Sequence, residues 1–469
     1  MDNIEIIAAE TISPSITASP QSSHLGYGSA GMRYYVLIVL TIVAGLSLLD
    51  RIAIGIVQEP VKQTFHLTDF QLGILGGPAF AILYSLLGIP IASLTERRNR
   101  ITVISVSLAV WSVASAGCGL AASYLMLLAS RLGVSVGEAG GAPQSQSVIV
   151  DYFPTTQRAT ALAIYALSTP IAALTAGFVG GWLAEAIGWR MMFVSLGAVG
   201  LLLALIVKAT LPEPQRIYRP GEVQPSVGES LKCLIANPTF VYLVLGASMS
   251  CIVGYGLSQY LVSFLMRVHG LPLIRASQFN GMMFGVFAGI GTFCCGYLVD
   301  RFRGRWPRIG FWLPAWGMLA AVPFYYVGYT TNSFLIAGPA LVTGALLNYF
   351  YVGSIFSVIF TIVRSDLRTI ATAMTILMLN LIGYGLGPPV MGLLSDVFQR
   401  QALARAGMNV AGCSLSASSA VNATCALARA SGLQLAIVVC LVGYLGAGLL
   451  FLMSVRSAGR LQQALAREP

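Results

Sequence analysis

The stretch Ser130-Arg-Leu-Gly-Val-Ser-Val-Gly-Glu-Ala-Gly-Gly-Ala-Pro-Gln144 puts a guanidinium, Arg131, and a carboxylate, Glu138, inside a hydrophobic run from about Ser123 to Val150. A lone charge at the centre of a membrane helix costs roughly 2.5–3.5 kcal/mol on insertion scales, so such residues face a protein interior or a water-filled path. The two are spaced to lie on one helix face, about two turns or roughly 10 Å apart. Gly133, Gly137 and Gly141 recur every fourth residue, which lets a neighbouring helix approach closely, and Pro143 deletes a helix hydrogen bond near the inner end. The stretch predicts a tightly packed membrane helix, weakened at one end, with two charges on one side.

Working outward, 56% of the 469 residues are hydrophobic and only 9% are charged, about a third of the charge of a soluble domain. That balance defines an all-α integral membrane protein with many spans. Apolar runs long enough to cross a bilayer lie at about 33–59, 69–94, 101–121, 123–150, 159–187 and 189–211. Six more lie at about 239–266, 275–299, 308–329, 333–363, 368–398 and 432–455. With the N-terminus inside, the inner segments hold 18 of the 27 Lys and Arg residues, the outer ones 7, and Arg51 and Arg131 fall within the membrane. The positive-inside rule therefore predicts cytoplasmic termini. The net charge of +10 is then a topology signal and not a nucleic-acid surface. Residues 1–32 are rich in Ser, Thr, Pro and Gly, with no basic residue before Arg33, and read as a disordered cytoplasmic tail rather than a signal peptide. Residues 456–469 read as a second cytoplasmic tail, and the basic, Ala-rich composition points to a bacterial inner membrane.

The short inner loops repeat. Glu96-Arg97-Arg98-Asn99-Arg100 after the second span matches Gly296-Tyr-Leu-Val-Asp300-Arg301-Phe-Arg303-Gly-Arg305 after the eighth, each an acid followed by a basic cluster. Arg158-Ala-Thr-Ala161 matches Arg368-Thr-Ile-Ala-Thr-Ala373, and Gly177-Phe-Val-Gly-Gly-Trp-Leu-Ala-Glu185 matches Gly387-Pro-Pro-Val-Met-Gly-Leu-Leu-Ser-Asp396. The repeat predicts two pseudo-symmetric six-helix bundles, 33–211 and 238–455, joined by a cytoplasmic linker over 212–237. This is a transporter architecture with twelve transmembrane helices.

If the first span runs from Arg33 to Glu59, Asp50 and Arg131 lie at matched depths, about 14 and 12 Å from the outer ends of their helices. Asp50 is expected to pair with Arg131 in one conformation. Protonating Asp50 would release Arg131, and Glu138, about 10 Å deeper, would accept Arg131 or Arg51, so that a proton biases which face is open. The plain alternative is a static salt bridge between two helices, although buried pairs add little stability over apolar packing. Arg51 and Arg131 are also the natural partners of an anionic head group. The second half offers polar and aromatic groups instead: Tyr255, Gln259 and Tyr260 in span seven, Asn280 in eight, Asn348 and Tyr351 in ten, and Asn380 and Tyr384 in eleven. These are candidates for binding an amphipathic solute, although for any one of them an interhelical hydrogen bond is the commoner role.

At the repeated loops the chain resembles the major facilitator superfamily, whose hallmark after the second span is Gly-x-x-x-Asp-Arg-x-Gly-Arg. The first copy departs at Ala92, Glu96 and Asn99, and the second keeps Gly296, Asp300, Arg301 and Arg305. Gly188-Trp189-Arg190 with Phe193, and Leu211-Pro212-Glu213-Pro214, are also usual there, and the resemblance extends from about 33 to 455. It implies that Glu96, Arg97, Arg100, Asp300, Arg301 and Arg305 clamp the cytoplasmic face shut in the outward-open state. Within that superfamily, Leu48-Leu49-Asp50-Arg51, with Arg131 through Gly137-Glu138-Ala139 and Asp151-Tyr-Phe-Pro154, is similar to the Spinster-like subgroup. That similarity implies proton-linked alternating access for lysolipids and sphingoid lipids, including sphingosine 1-phosphate. The same motifs are partly shared with hexuronate and aromatic-acid symporters, which implies a small organic acid instead. The antiporter motif of span five is incomplete, with Phe178 where Pro is usual.

A receptor without transport would carry a signalling domain, and the short linker and tail argue against it. Ser-His-Asp sets, zinc-ligand spacings and phosphate-cradling loops are lacking, so neither an enzyme nor a metal or cofactor is expected. The expected partners are protons, a small-molecule or lysolipid solute and the bilayer, with the chain as a monomer. Cys413 and Cys425 fall in a Ser, Ala and Asn rich loop over Gln399–Ser431, placed outside, as a disulfide or as two free thiols.

Overall fold

The structure, a computed structural model, describes residues 29–96, 98–214, 227–364, 367–408, 410, 413 and 419–465. Every regular element among them is helical. Ten segments are long and apolar enough to cross a membrane: Ala30–Ile56, Asp69–Gly88, Arg100–Leu120, Thr155–Ala186, Gly188–Thr210, Pro238–His269, Leu273–Phe302, Phe334–Ile362, Ile370–Arg405 and Ser419–Ala458. The two remaining expected spans are also present. The fourth is split into Tyr124–Glu138 and Ala142–Tyr152 at a turn over Ala139–Gly141, with Pro143 in the first turn of the second piece. The ninth, Ile309–Thr330, is 22 residues without a charge, and Trp, Tyr and Pro lower its hydropathy without shortening it.

Local chemistry sets many of the ends. Ser29, Asn99, Ser123 and Asn237 each accept a backbone N–H at the start of a span. Thr68 and Gln71 form a reciprocal capping box at the start of the second span. Gly270, at φ 64°, closes the seventh in the left-handed region.

Within the first half, the third and sixth spans pack closely because Gly197 has no side chain: a Cβ there would sit 2.5 Å from the Ser112 carbonyl oxygen. Gly137 serves the third–fourth crossing in the same way, against the Trp111 backbone, with Gly133 facing Ala114 one turn earlier, while Gly141 lies in the turn that splits the fourth span. The halves meet along spans two, five, eight and eleven, and each of these is interrupted. Span two breaks at Gly77. Spans five, eight and eleven carry π-helical turns at Ala176–Gly180, Met283–Phe287 and Leu379–Tyr384.

Some boundaries differ from the sequence reading. The first span ends at Ile56, and a separate helix, Gln58–Phe65, follows it. The expected loop over 399–431 is much shorter, because helix Gly385–Arg405 runs into it from one side and Ser419–Leu465 from the other. Cys425 is therefore helical, and it is disulfide-bonded to Cys413. The last helix also continues into the region read as a tail, and the first begins at Ala30, inside the other. Within the linker, Val227–Ala236 is a helix, while 215–226 and most of the N-terminal tail lie outside the described residues.

Candidate functional site

Asp50 and Arg131 meet at 2.8 Å between Oδ2 and Nη1, both fully buried. Ser115 donates to the other Asp50 oxygen. From the next residue of the first span, Arg51 donates from Nε to Glu138 Oε2 at 2.6 Å, and Ser47, one turn earlier, donates to the same oxygen at 2.7 Å. The four charges thus form two pairs, both between spans one and four. Each pair keeps unused capacity: Arg131 Nε and Nη2 and Glu138 Oε1 are buried without a hydrogen-bond partner among the described residues. Such atoms are uncommon in native interiors and mark a place for water, solute or an alternative partner.

The two pairs differ in access. Arg51 keeps 18% of its side chain exposed, whereas Arg131 has none. Arg51 opens onto a cavity of about 390 Å³ walled by Ser47, Tyr84, Trp111, Glu138, Ser145, Gln146, Ser168 and Thr169, with Val43, Leu48 and Leu162. Its guanidinium stacks on Phe80 at 4.3 Å and Tyr84 at 4.6 Å. From Phe80 an edge contact leads to Tyr384 at 5.7 Å, and from Tyr384 another leads to Tyr255 at 4.8 Å. These rings connect the cation to the second half.

A second charged cluster closes one end of the interface between the halves. Arg267, at the end of span seven, donates Nε to Glu59 at 2.7 Å and both Nη groups to Asp69 at 2.8 Å. Lys62 reaches Asp69 at 2.5 Å, and Ser395 donates to it at 2.6 Å. Asp396 accepts the backbone N–H groups of Asp69 and Phe70 at 3.0 and 2.9 Å, a carboxylate on a helix N-terminus. Burial and the Arg267 charge push the Lys62 ammonium below the usual lysine value, against the pull of Asp69 and Glu59. Gly73 brings the second span onto the Pro388 and Pro389 backbone beneath this latch.

At the opposite end, Arg100 pairs with Asp151 of the same half at 2.6 Å and with Glu213, at the start of the linker, at 3.0 Å. Asp300, Arg301 and Arg305 are exposed and make no ion pair among the described residues. The Glu96 side chain and Arg97 lie outside the described residues. Among the described residues, Arg100, Asp300, Arg301 and Arg305 make no ion pair from one half to the other in this conformation.

The structure sorts the sequence candidates. Asp50, Arg51, Arg131 and Glu138 come together, with Tyr255 and Tyr384 reached through Phe80. Tyr260 belongs to the Asp69 latch, where its hydroxyl donates to the Asp69 carbonyl. Gln259 fills the space beside Gly55 and Gly76. Asn348 donates to Tyr444 at 3.3 Å and Tyr351 pairs with Cys251 at 3.3 Å, both in the core of the second half. Asn280 is buried beside the crossing of spans five and eight, and Asn380 donates to its own helix at Ile376. None of these six lines the cavity beside Arg51, although Gln259 Nε2, Asn280 Oδ1 and Asn348 Oδ1 are likewise buried without a hydrogen-bond partner among the described residues. Sequence reasoning missed Ser47, Phe80, Tyr84 and Ser115, whose types are ordinary in a membrane helix. It missed the latch too, although Thr68-Asp69-Phe70-Gln71 is a legible capping box.

Two six-helix halves, packed face to face around a charged centre, have the architecture of a secondary transporter. The sequence matches the Major Facilitator Superfamily profile over residues 40–374. A solved bacterial homolog of the human lysosomal transporter Spinster, in an inward-facing and unoccupied conformation, is 35% identical with a TM-score of 0.84, covering 92% of this chain and 98% of that one. An MFS-type efflux pump of Mycolicibacterium smegmatis is 28% identical over 76% of this chain and 83% of its own. Human protein spinster homolog 1 is 25% identical over 79% of this chain and 75% of its own. The chain belongs to the Major Facilitator Superfamily of membrane transporters, and within it to the Spinster-like group.

Proposed function

We propose that this transporter carries an amphipathic anion, of the lysolipid or sphingoid-phosphate kind, by proton-coupled alternating access. The observation that carries this reading is the double pair Asp50–Arg131 and Arg51–Glu138, buried yet holding unpaired atoms on Arg131 and Glu138. Buried ion pairs add little stability over apolar packing, so their retention is accounted for by a task. Protonated Asp50 loses its hold on Arg131, whose free Nε and Nη2 then attract another acid. Glu138 has Oε1 available for that exchange, and a solute anion competes for Arg51 from the cavity. The proton is handled by the bundle over 33–211, while the bundle over 238–455 supplies Tyr255, Tyr384 and apolar surface for a chain lying between the halves.

The latch around Asp69 supports reading this state as inward-facing, the conformation in which the bacterial Spinster homolog was solved. The termini are cytoplasmic on this reading, and Glu96, Arg97, Arg100, Asp300, Arg301 and Arg305 engage only in the opposite state. The polar wall of the cavity sets a small organic acid as the competing solute. The test is flux into proteoliposomes, with and without a pH gradient, of a lysophospholipid and a hexuronate. Gradient-dependent movement of the lysophospholipid is expected. Gradient-dependent movement of the hexuronate alone would reverse the order of the two solutes.

A further inference from the structure

We propose that the groove where the eighth span turns into the ninth holds an anionic phospholipid from the surrounding bilayer, at the Arg100 end of the molecule. The groove has a volume of about 630 Å³, and Arg305, Trp306, Arg308, Trp312, Leu313 and Trp316 line it. Its three indoles are 59%, 41% and 58% exposed. That much open tryptophan would be costly against water, but indoles are at home where the headgroups of a bilayer meet its hydrocarbon. Trp312 and Trp316 lie one turn apart with parallel rings, 6.3 Å and 12°. They stand about 5 and 10 Å beyond the start of the helix at Ile309, which carries the groove from headgroup level to acyl-chain level. Trp306 stacks on Phe302 at its outer rim, 5.8 Å and 22°.

Charge selects the occupant. Arg301, Arg303 and Arg305 share this loop with a single carboxylate, Asp300, and Arg308 adds a further guanidinium to the groove wall. Among the described residues no ion pair claims Arg301, Arg303 or Arg305. A phosphodiester suits a pair of guanidinium forks, and a choline cation would be repelled by the same cluster. The described part of the corresponding region in the first half differs. Arg100 there is neutralised by Asp151 and Glu213, and the first tryptophan of the third span, Trp111, is buried. The groove is therefore a property of this chain's second half and is not required by the repeat.

Quenching of tryptophan emission in nanodiscs of the full-length protein tests this, with chain-brominated phosphatidylglycerol or phosphatidylcholine as the probe. Brominated phosphatidylglycerol should quench at a several-fold lower mole fraction. Arg305→Gln with Arg308→Gln should remove that preference, and Trp312→Phe with Trp316→Phe should remove the preferentially quenched emission. Equal quenching by the two lipids, or a preference unchanged in the arginine variant, would overturn the proposal. So would loss of the preference on adding inorganic phosphate, which would mean a free-anion site, or shielding of the indoles from both lipids in a dimer. Should the double arginine variant not fold, Arg305→Gln alone and the wild-type comparison decide the question.

Discussion

Asp50 holds Arg131 from one side while Ser115 holds Asp50 from the other, so an amide at this position would keep the shape and lose the charge. A hydrogen bond to a charged group contributes about 1.5–3 kcal/mol, and Asp50→Asn should accordingly lower gradient-driven flux about tenfold or more at normal reconstitution. Vesicle flux measured at matched protein load checks this. Arg267→Ala leaves Glu59 and Asp69 buried with Lys62 as their one remaining cation among the described residues, and removing one partner of a buried pair costs about 3–5 kcal/mol. A lowered apparent Tm in detergent is expected. Arg267→Lys should not restore it, because one ammonium cannot span two carboxylates as the guanidinium fork does. The inner four charges were legible because a charge in an apolar run stands out from its surroundings. Asp69 and Arg267 were not, because charges at the ends of such runs are ordinary.

Spans two, five, eight and eleven build the interface between the halves, and each departs from regular helix. π-helical turns and breaks are places where a helix bends without unfolding, and they gather at functional sites. Gly73 sits against the Pro388 and Pro389 backbone, 2.5–2.7 Å from where a Cβ would lie. Gly73→Val should therefore wedge the Asp69 end apart, and a cysteine placed at Gln259 should then react faster with a water-soluble maleimide than in the parent. Gly137→Ala pushes instead on the Trp111 backbone within one half. Overpacking of that kind costs about 1–3 kcal/mol, read as a lower Tm without a change in Gln259→Cys labelling. Hydrophobic length disclosed the spans, and Pro143 disclosed the break in the fourth. The π-helical turns had no such marker, since neither proline nor charge accompanies those over 176–180 and 283–287. The short loop between the last two spans was misread because its Ser, Ala and Asn content fits a helix of small residues as well as it fits a loop.

Taken whole, the molecule is latched at the Asp69 end and holds its inner charges in two separate pairs. The repeat made the two halves readable, since the same loop pattern occurs twice. The side of contact was not readable, since nothing in the sequence marks which of the charges at the ends of spans pair across the halves. The proposed alternating access requires the latch to open when the inner pairs change partners, so on that proposal the two sites should respond together. The most direct measurement is the distance between spin labels on spans two and eleven, at Phe70→Cys and Val397→Cys, read by pulsed electron resonance across pH in nanodiscs. Acidification should lengthen it in the parent and leave it unchanged in Asp50→Asn. An identical pH response in the two proteins would contradict the claim that a proton on Asp50 redirects Arg131.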